Sequence, residues 1–121
     1  MRYSPDKMNP DKMNKVKLRG KLKGTASWVE IKANGGLQLE FFDYSEDAQA
    51  IFGHDIAYLI QISEHEKSQV MAFLNIHEKE LAHPDLLLLE RIEESFADYF
   101  ECKEWLDAHG VSYQKEFDSM A

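Results

Sequence analysis

The sequence lacks the cysteine pairs that stabilise small secreted proteins and the long apolar runs that span membranes. Its 121 residues include a single cysteine, Cys102, so no disulfide can form within one chain. This excludes a disulfide-stapled scaffold and favours a reducing compartment. The longest aliphatic run, Leu86 to Leu89, is far too short to cross a bilayer, and residues 1–15 hold no apolar run typical of a signal peptide. We therefore expect a soluble, cytoplasmic protein of the bacterial type, without a membrane segment.

Motifs that carry chemistry are also missing. The sequence contains no glycine-rich phosphate-binding loop and no nucleophile-elbow motif. Neither His65 nor His77 is followed four residues later by a second histidine, which the zinc-protease motif requires. Cys102 lies between Glu101 and Lys103, with Glu104 two residues further on, and acidic neighbours favour the unreactive thiol. We therefore predict no enzyme, no metal site and no cofactor.

Charge is distributed unevenly along the chain, whose formal net charge is −8. Residues 1–23 hold eight basic and two acidic side chains, whereas the remaining residues hold six basic and twenty acidic ones. A basic first fifth thus precedes a body with a net charge of −14. Such asymmetry bears on the choice of partners rather than on the fold.

The composition fits one folded domain preceded by a tail. Residues 1–14 contain a polar, proline-bearing tandem repeat without an apolar face, which predicts a flexible tail. Residues 15–121 have the length of a single domain. Over the whole chain 44% of residues are hydrophobic and 12% aromatic, which is enough to build a core.

The first predicted strand covers residues 15–23, where cations alternate with apolar residues or glycine. Period-two alternation indicates a strand with one buried and one solvated face. A two-residue turn beginning at Gly24 would then place Arg19 opposite Glu30 on the following strand.

The second and third predicted strands cover residues 26–33 and 37–44. A three-residue loop, built as a type I turn with a glycine bulge, aligns their apolar residues and pairs Val29 with Phe41. The predicted core face of the three strands comprises Val16, Leu18, Leu22, Val29, Ile31, Leu37, Leu39 and Phe41.

The remainder of the chain predicts two further strands and several helices. The predicted elements are a short helix over 45–52, a central strand over 55–62, a helix from a Ser63–Glu66 capping box to about Ala82, a helix from Pro84 with a possible break near 98–101, and a strand over 111–117. The order βββαβααβ predicts an α+β fold with an antiparallel sheet of about five strands and helices packed on one face.

Two sets of side chains are candidates for binding. The first set consists of acidic residues at helical spacing opposite an apolar stripe: Glu90, Glu94, Asp98, Glu101 and Glu104. Such a run is either a solvated face or a docking surface for a basic protein partner. The leading hypothesis is therefore a small interaction or regulatory protein, of the inhibitor or immunity type, that binds a basic protein.

The second set combines aromatic and basic side chains on the solvated face of the predicted sheet: Lys21, Trp28, Phe42 and Tyr44. It supports an alternative hypothesis, a small-ligand-binding or accessory domain. A third hypothesis is a nucleic-acid binder through the basic first strand, which repulsion from the acidic body disfavours. The structural interpretation of the same lysines is protection of an edge strand.

Overall fold

The computed structural model of the protein describes residues 14–20, 22–45 and 55–120. Three predictions fall outside these residues: the flexible tail, the short helix predicted to follow Tyr44, and the position of Lys21. None of the helices in the described part combines the length and apolar character needed to cross a bilayer.

Five strands form one antiparallel sheet whose spatial order is the order along the chain. The strands are β1 (Lys15–Lys17), β2 (Thr25–Ile31), β3 (Leu37–Asp43), β4 (Asp55–Ile62) and β5 (Gln114–Met120). Three helices lie between β4 and β5 in sequence: α1 (Glu64–Phe73), α2 (Pro84–Ser95) and α3 (Tyr99–Ala108), with a 3₁₀ turn at Glu78–Glu80. The predicted α+β class, with a five-stranded antiparallel sheet and helices on one face, is confirmed.

The core lies between the helices and one face of the sheet. Val29, Leu39 and Ile60, from three neighbouring strands, are completely buried. Ile92 of α2 and Leu106 of α3 pack into the same cluster. Apolar residues at period two on the strands and at helical spacing on the helices make this single core possible.

The first hairpin keeps the predicted faces but not the predicted register. Val16 lies opposite Val29, and Glu30 lies opposite Lys15 rather than Arg19. The strands are shifted by four residues relative to the prediction. Because side chains alternate with period two, an even shift leaves the same residues of the paired strands on the core face.

The described residues after β1, 18–20 and 22–24, lie outside the sheet instead of in a tight turn, and Gly20 is anchored to the connection between α2 and α3. The Gly20 N–H donates to the Ala97 carbonyl at 2.6 Å. Leu22, which the alternation placed in the core, is 57% exposed. The predictions of a tight turn and of a buried Leu22 were wrong because the sequence alternation continues to Lys23, whereas the last backbone hydrogen bond of this segment to β2 is that of Leu18 to Ser27.

The second hairpin has the predicted turn, one residue earlier than predicted. The Gly35 N–H donates to the Lys32 carbonyl at 3.0 Å, and Gly35 has a φ of 87°, which glycine adopts without strain. Val29 consequently pairs with Leu39 rather than with Phe41. The shift is again even, so both Val29 and Phe41 lie on the core face, as predicted.

The predicted Ser63 cap at the start of α1 is confirmed, although the Glu66 carboxylate accepts from the Ser63 hydroxyl rather than from its backbone N–H. Ser63 Oγ accepts the Glu66 N–H at 3.2 Å. The helix ends at Phe73, well before the predicted end near Ala82, because the chain turns at Asn75, which has a left-handed φ of 60°.

The predicted long helix from Pro84 is two helices, with a break just before the predicted position. The Asp98 carboxylate caps α3 by accepting the Glu101 N–H at 2.9 Å. The Glu101 side chain in turn accepts the Ala97 N–H at 2.8 Å. The break therefore has its own capping interactions at the start of the second helix.

The last two strands complete the sheet. β4 has the predicted bounds and lies between β3 and β5, as expected for a strand with apolar residues on both faces. β5 begins three residues later than predicted, at Gln114 rather than Val111. Val111 is instead a buried core residue in the connection after α3.

Candidate functional site

The break between α2 and α3 divides the predicted acidic face. Glu90 and Glu94 are exposed on α2, and Glu104 is exposed on α3. Asp98 is only 6% exposed, and Glu101 is partly buried. The last two residues serve as caps, so the structure leaves three of the five predicted carboxylates on the open surface.

The helical part of the molecule carries a large negative charge. The segment from α1 through α3 contains twelve acidic and four basic side chains, a net charge of −8. Three of the four cations are bound within the protein. Lys67 is buried and lies 2.8 Å from Asp85, Lys103 donates to Asp107 at 3.1 Å, and Arg91 donates to a main-chain carbonyl after α1 at 2.8 Å. Few cations therefore remain to neutralise the exposed carboxylates.

Three exposed carboxylates on α2, those of Glu90, Glu93 and Glu94, form what we term the α2 acidic surface. Residues three and four apart on a helix are neighbours, so these charges repel one another. None of the three makes an ion pair with another described residue. Arg19 lies nearby, and its Nη1 donates to the main-chain carbonyl of Glu93 at 3.2 Å.

Trp28, in the predicted aromatic and basic patch, lies beside the lysines of β1. The Nζ atoms of Lys15 and Lys17 lie 5.0 Å and 5.8 Å from the indole ring centre, within cation–π range. Lys15 Nζ is also 3.0 Å from the buried Glu40 carboxylate, which accepts from Gln38 at 2.8 Å. Glu40, within the sheet, therefore neutralises part of the positive charge that would otherwise attract a nucleic acid.

Two other members of this patch form a separate stack. The rings of Phe42 and Tyr44 lie 6.0 Å apart and nearly parallel. Tyr44 is 48% exposed, so part of this stack is accessible to solvent beside the end of β3.

A third feature was missed in the sequence: a groove on the helix side of the sheet, between α3 and β5. We term it the aromatic groove; its volume is about 540 Å³. Its lining residues are Tyr58, Tyr99, Phe100, Lys103, Glu104, Lys115, Glu116 and Phe117.

The aromatic side chains of the groove pack in a continuous cluster. Phe100 lies 4.7 Å from Phe41 and 5.1 Å from Tyr99, and Phe117 lies 5.3 Å from Tyr58, measured between ring centres. Phe100 and Phe117 are nevertheless 38% and 53% exposed. Burial raises the pKa of Tyr99 to about 12, so its phenol stays neutral. The groove thus offers aromatic surface flanked by lysine and glutamate side chains.

The sequence contained one signal for this groove. Tyr99 and Phe100 are adjacent, so one continuous amphipathic helix could not bury both on the same stripe. The break before α3 turns Phe100 toward the sheet, where it meets Phe41 of β3. Helical spacing alone could not place that contact, because it depends on the angle between two helices.

Cys102 is buried in the core, and burial raises the pKa of its thiol to about 12, which keeps the reactive thiolate rare. Among the residues that the structure describes, no group of three or more histidine, cysteine or acidic side chains is placed to hold a metal ion.

A small hydrogen-bonded group beside the groove should make stability depend on pH. It consists of Tyr113, Asp107 and Lys103. Tyr113 donates to Asp107 at 2.5 Å and Lys103 donates to it at 3.1 Å, and these bonds lower the pKa of Asp107. The ionised Asp107 carboxylate therefore stabilises the fold fully above its unfolded pKa of ~3.9, and this stabilisation is lost as pH falls through the lower folded pKa. We expect Tyr113→Phe to raise the Asp107 pKa, measured by carboxyl NMR titration.

The control for this titration is the set of carboxyl groups elsewhere in the same spectra. Their titration curves should coincide in the two proteins, since the substitution removes one hydroxyl only. An Asp107 curve that does not move would show that the tyrosine hydrogen bond has no effect on the carboxylate.

Comparison with known proteins gives no relative. The chain matches no protein-family model, no curated protein and no solved structure. A function for this chain must therefore be inferred from the geometry and charge of its own residues.

Proposed function

We propose that this protein is a small interaction domain, of the inhibitor, immunity or regulatory type, that binds a basic protein partner through the α2 acidic surface. The observation that supports this proposal is the exposure of Glu90, Glu93 and Glu94 on one helix while the cations of the helical segment are bound elsewhere. A basic partner would neutralise these carboxylates, which repel one another in the isolated protein.

The helix that carries these carboxylates, α2, is held in place by packing against the sheet. Leu88, Leu89 and Ile92 of α2 are buried against the sheet. A charged surface on a packed helix needs little reordering when it binds, so less of the interaction free energy is lost to entropy. Its negative field would also speed association with a basic protein and disfavour acidic competitors.

Charge reversal on α2 is the test of this proposal. The immobilised protein should capture basic proteins from a cell lysate at low ionic strength, and Glu90→Lys with Glu94→Lys should abolish that capture. With a captured partner in purified form, the double reversal should slow association by about tenfold or more and flatten its dependence on salt. Mass spectrometry identifies the captured proteins, and surface plasmon resonance measures the rates.

A matched variant controls for net charge. Glu64→Lys with Glu80→Lys makes the same change in charge at two exposed positions outside α2. This variant should retain the partners that the α2 variant loses. Equal capture by both variants would show that binding does not use the α2 acidic surface.

A further inference from the structure

The two edges of the sheet are unequal. β1 has three residues, two of them lysines, which is a common protection against strand pairing. β5 has seven residues and pairs with β4 on one side; within the described part of the chain, no strand occupies its other side. Alternate residues of such an edge strand direct N–H and C=O groups away from the sheet, where another strand can bind them.

The aromatic groove runs beside this edge. Phe117 pairs with Tyr58, and Lys115 with Ile60, so Phe117 and Lys115 share the face of the sheet that carries the helices. Among the helices that the structure describes, α2 packs chiefly on β1 and β2 and α3 chiefly on β3, so the aromatic rings of the groove, between α3 and β5, remain partly exposed. A strand added to β5 would therefore lie along the groove and place every second side chain over its aromatic surface.

We propose that β5 binds an extended segment of a protein partner, which adds to the sheet as a sixth strand and places apolar side chains in the aromatic groove. The charges of β5 define the chemistry of this segment. Residue 116 and residue 118, on the face away from the helices, are acidic, and opposite charges are favoured across paired strands. The segment therefore alternates basic residues with apolar ones. This inference rests on the proposed function only in that the partner is basic.

A second copy of the chain does not fit this edge. Antiparallel pairing of two β5 strands over five or more residues, with the faces preserved, has three possible registers. These place residue 116 opposite 116, residue 116 opposite 118, or residue 118 opposite 118. Every register sets acidic residues directly opposite one another, which destabilises the pairing. The acidic residues of β5 therefore favour a sixth strand from a different protein over one from a second copy.

Two synthetic peptides of identical composition test the proposal. The probe alternates its residues (Lys-Phe-Lys-Val-Lys-Phe-Lys), and the control groups them (Lys-Lys-Lys-Lys-Phe-Val-Phe), so general attraction to an acidic protein is the same for both. With full-length protein at 0.15 M salt, the alternating peptide should bind at least about tenfold more tightly than the control, the loss expected when an anchor residue is misplaced. Bound peptide should protect the amides of residues 114–120 in hydrogen exchange.

Variants of the protein locate the binding surface. Phe117→Thr keeps a residue that favours strands and removes the aromatic ring. It should lower the affinity for the alternating peptide by about tenfold or more. The Glu90→Lys, Glu94→Lys protein should bind the peptide within about threefold of wild type, because β2 and β5 are three strand spacings, about 14 Å, apart and charges are screened over about 8 Å.

Three results would overturn strand addition. They are equal binding of the two peptides, binding without protection of residues 114–120, and a β5-dependent dimer in analytical ultracentrifugation. None of them alters the capture experiment on α2, which tests the proposed function separately. If partner capture depends on α2 while the alternating peptide does not bind, the proposal of a sixth strand is rejected and the proposed function stands.

Discussion

Asp85→Ala is expected to lower the free energy of unfolding by about 3 kcal/mol, because it leaves the Lys67 ammonium buried without its partner. The side chain of Lys67 is 4% exposed and lies 2.8 Å from Asp85, whose side chain is 39% exposed. Asp85 also lies in the first turn of α2, but the helix dipole accounts for only about 0.5 kcal/mol. Urea unfolding followed by circular dichroism measures the loss.

The partner substitution provides the control for this ion pair. Lys67→Met keeps most of the volume and removes the buried charge, while Asp85 remains accessible to water. We expect it to change the free energy of unfolding by about 1 kcal/mol or less. Equal losses in the two variants would mean that the packing of the side chains, rather than the buried charge, stabilises the contact between α1 and α2.

Ile92→Ala is expected to cost about 3 kcal/mol through the cavity that it leaves between α2 and the sheet. Ile92 is 1% exposed and belongs to the same buried cluster as Val29 and Leu39. Glu90→Ala, on the exposed side of the same helix, should change stability by less than about 0.5 kcal/mol. Thermal and urea unfolding of the two variants should separate the core side of α2 from its acidic side.

A similar loss in both Ile92→Ala and Glu90→Ala would contradict this assignment of the helix faces. Ile92→Val provides an intermediate, with an expected cost of about 1 kcal/mol, because it removes a single methylene group. The three values together report how well the core around α2 can adjust.

Sequence patterns located the strand faces because alternation is a local property. Val29, Leu39 and Phe41 were assigned to the core from period two alone, and all three are buried. Both hairpin registers were nevertheless wrong, because registers that differ by an even number of residues align apolar residues on the same faces equally well. The hydrogen bond between Gly20 and Ala97, which joins distant parts of the chain, holds the first loop outside the sheet, and no local pattern contains that information.

The candidate binding surfaces were predicted less completely than the fold. Glu90 and Glu94 were identified as exposed acidic residues from helical spacing. Asp98 and Glu101 have the same spacing, but they cap α3, a role that becomes visible only once the helix break is known. The aromatic groove depends on the packing of α3 against β3 and β5, so its residues are brought together by tertiary structure alone.

The position of Cys102 gives the protein an internal reporter of its own unfolding. The thiol is 2% exposed, and it is the only one in the chain. Alkylating reagents react with the thiolate, so modification under native conditions requires α3 to open. Each molecule can be labelled once only, and the labelling rate therefore measures how often this part of the core is exposed, without denaturant and without an engineered probe.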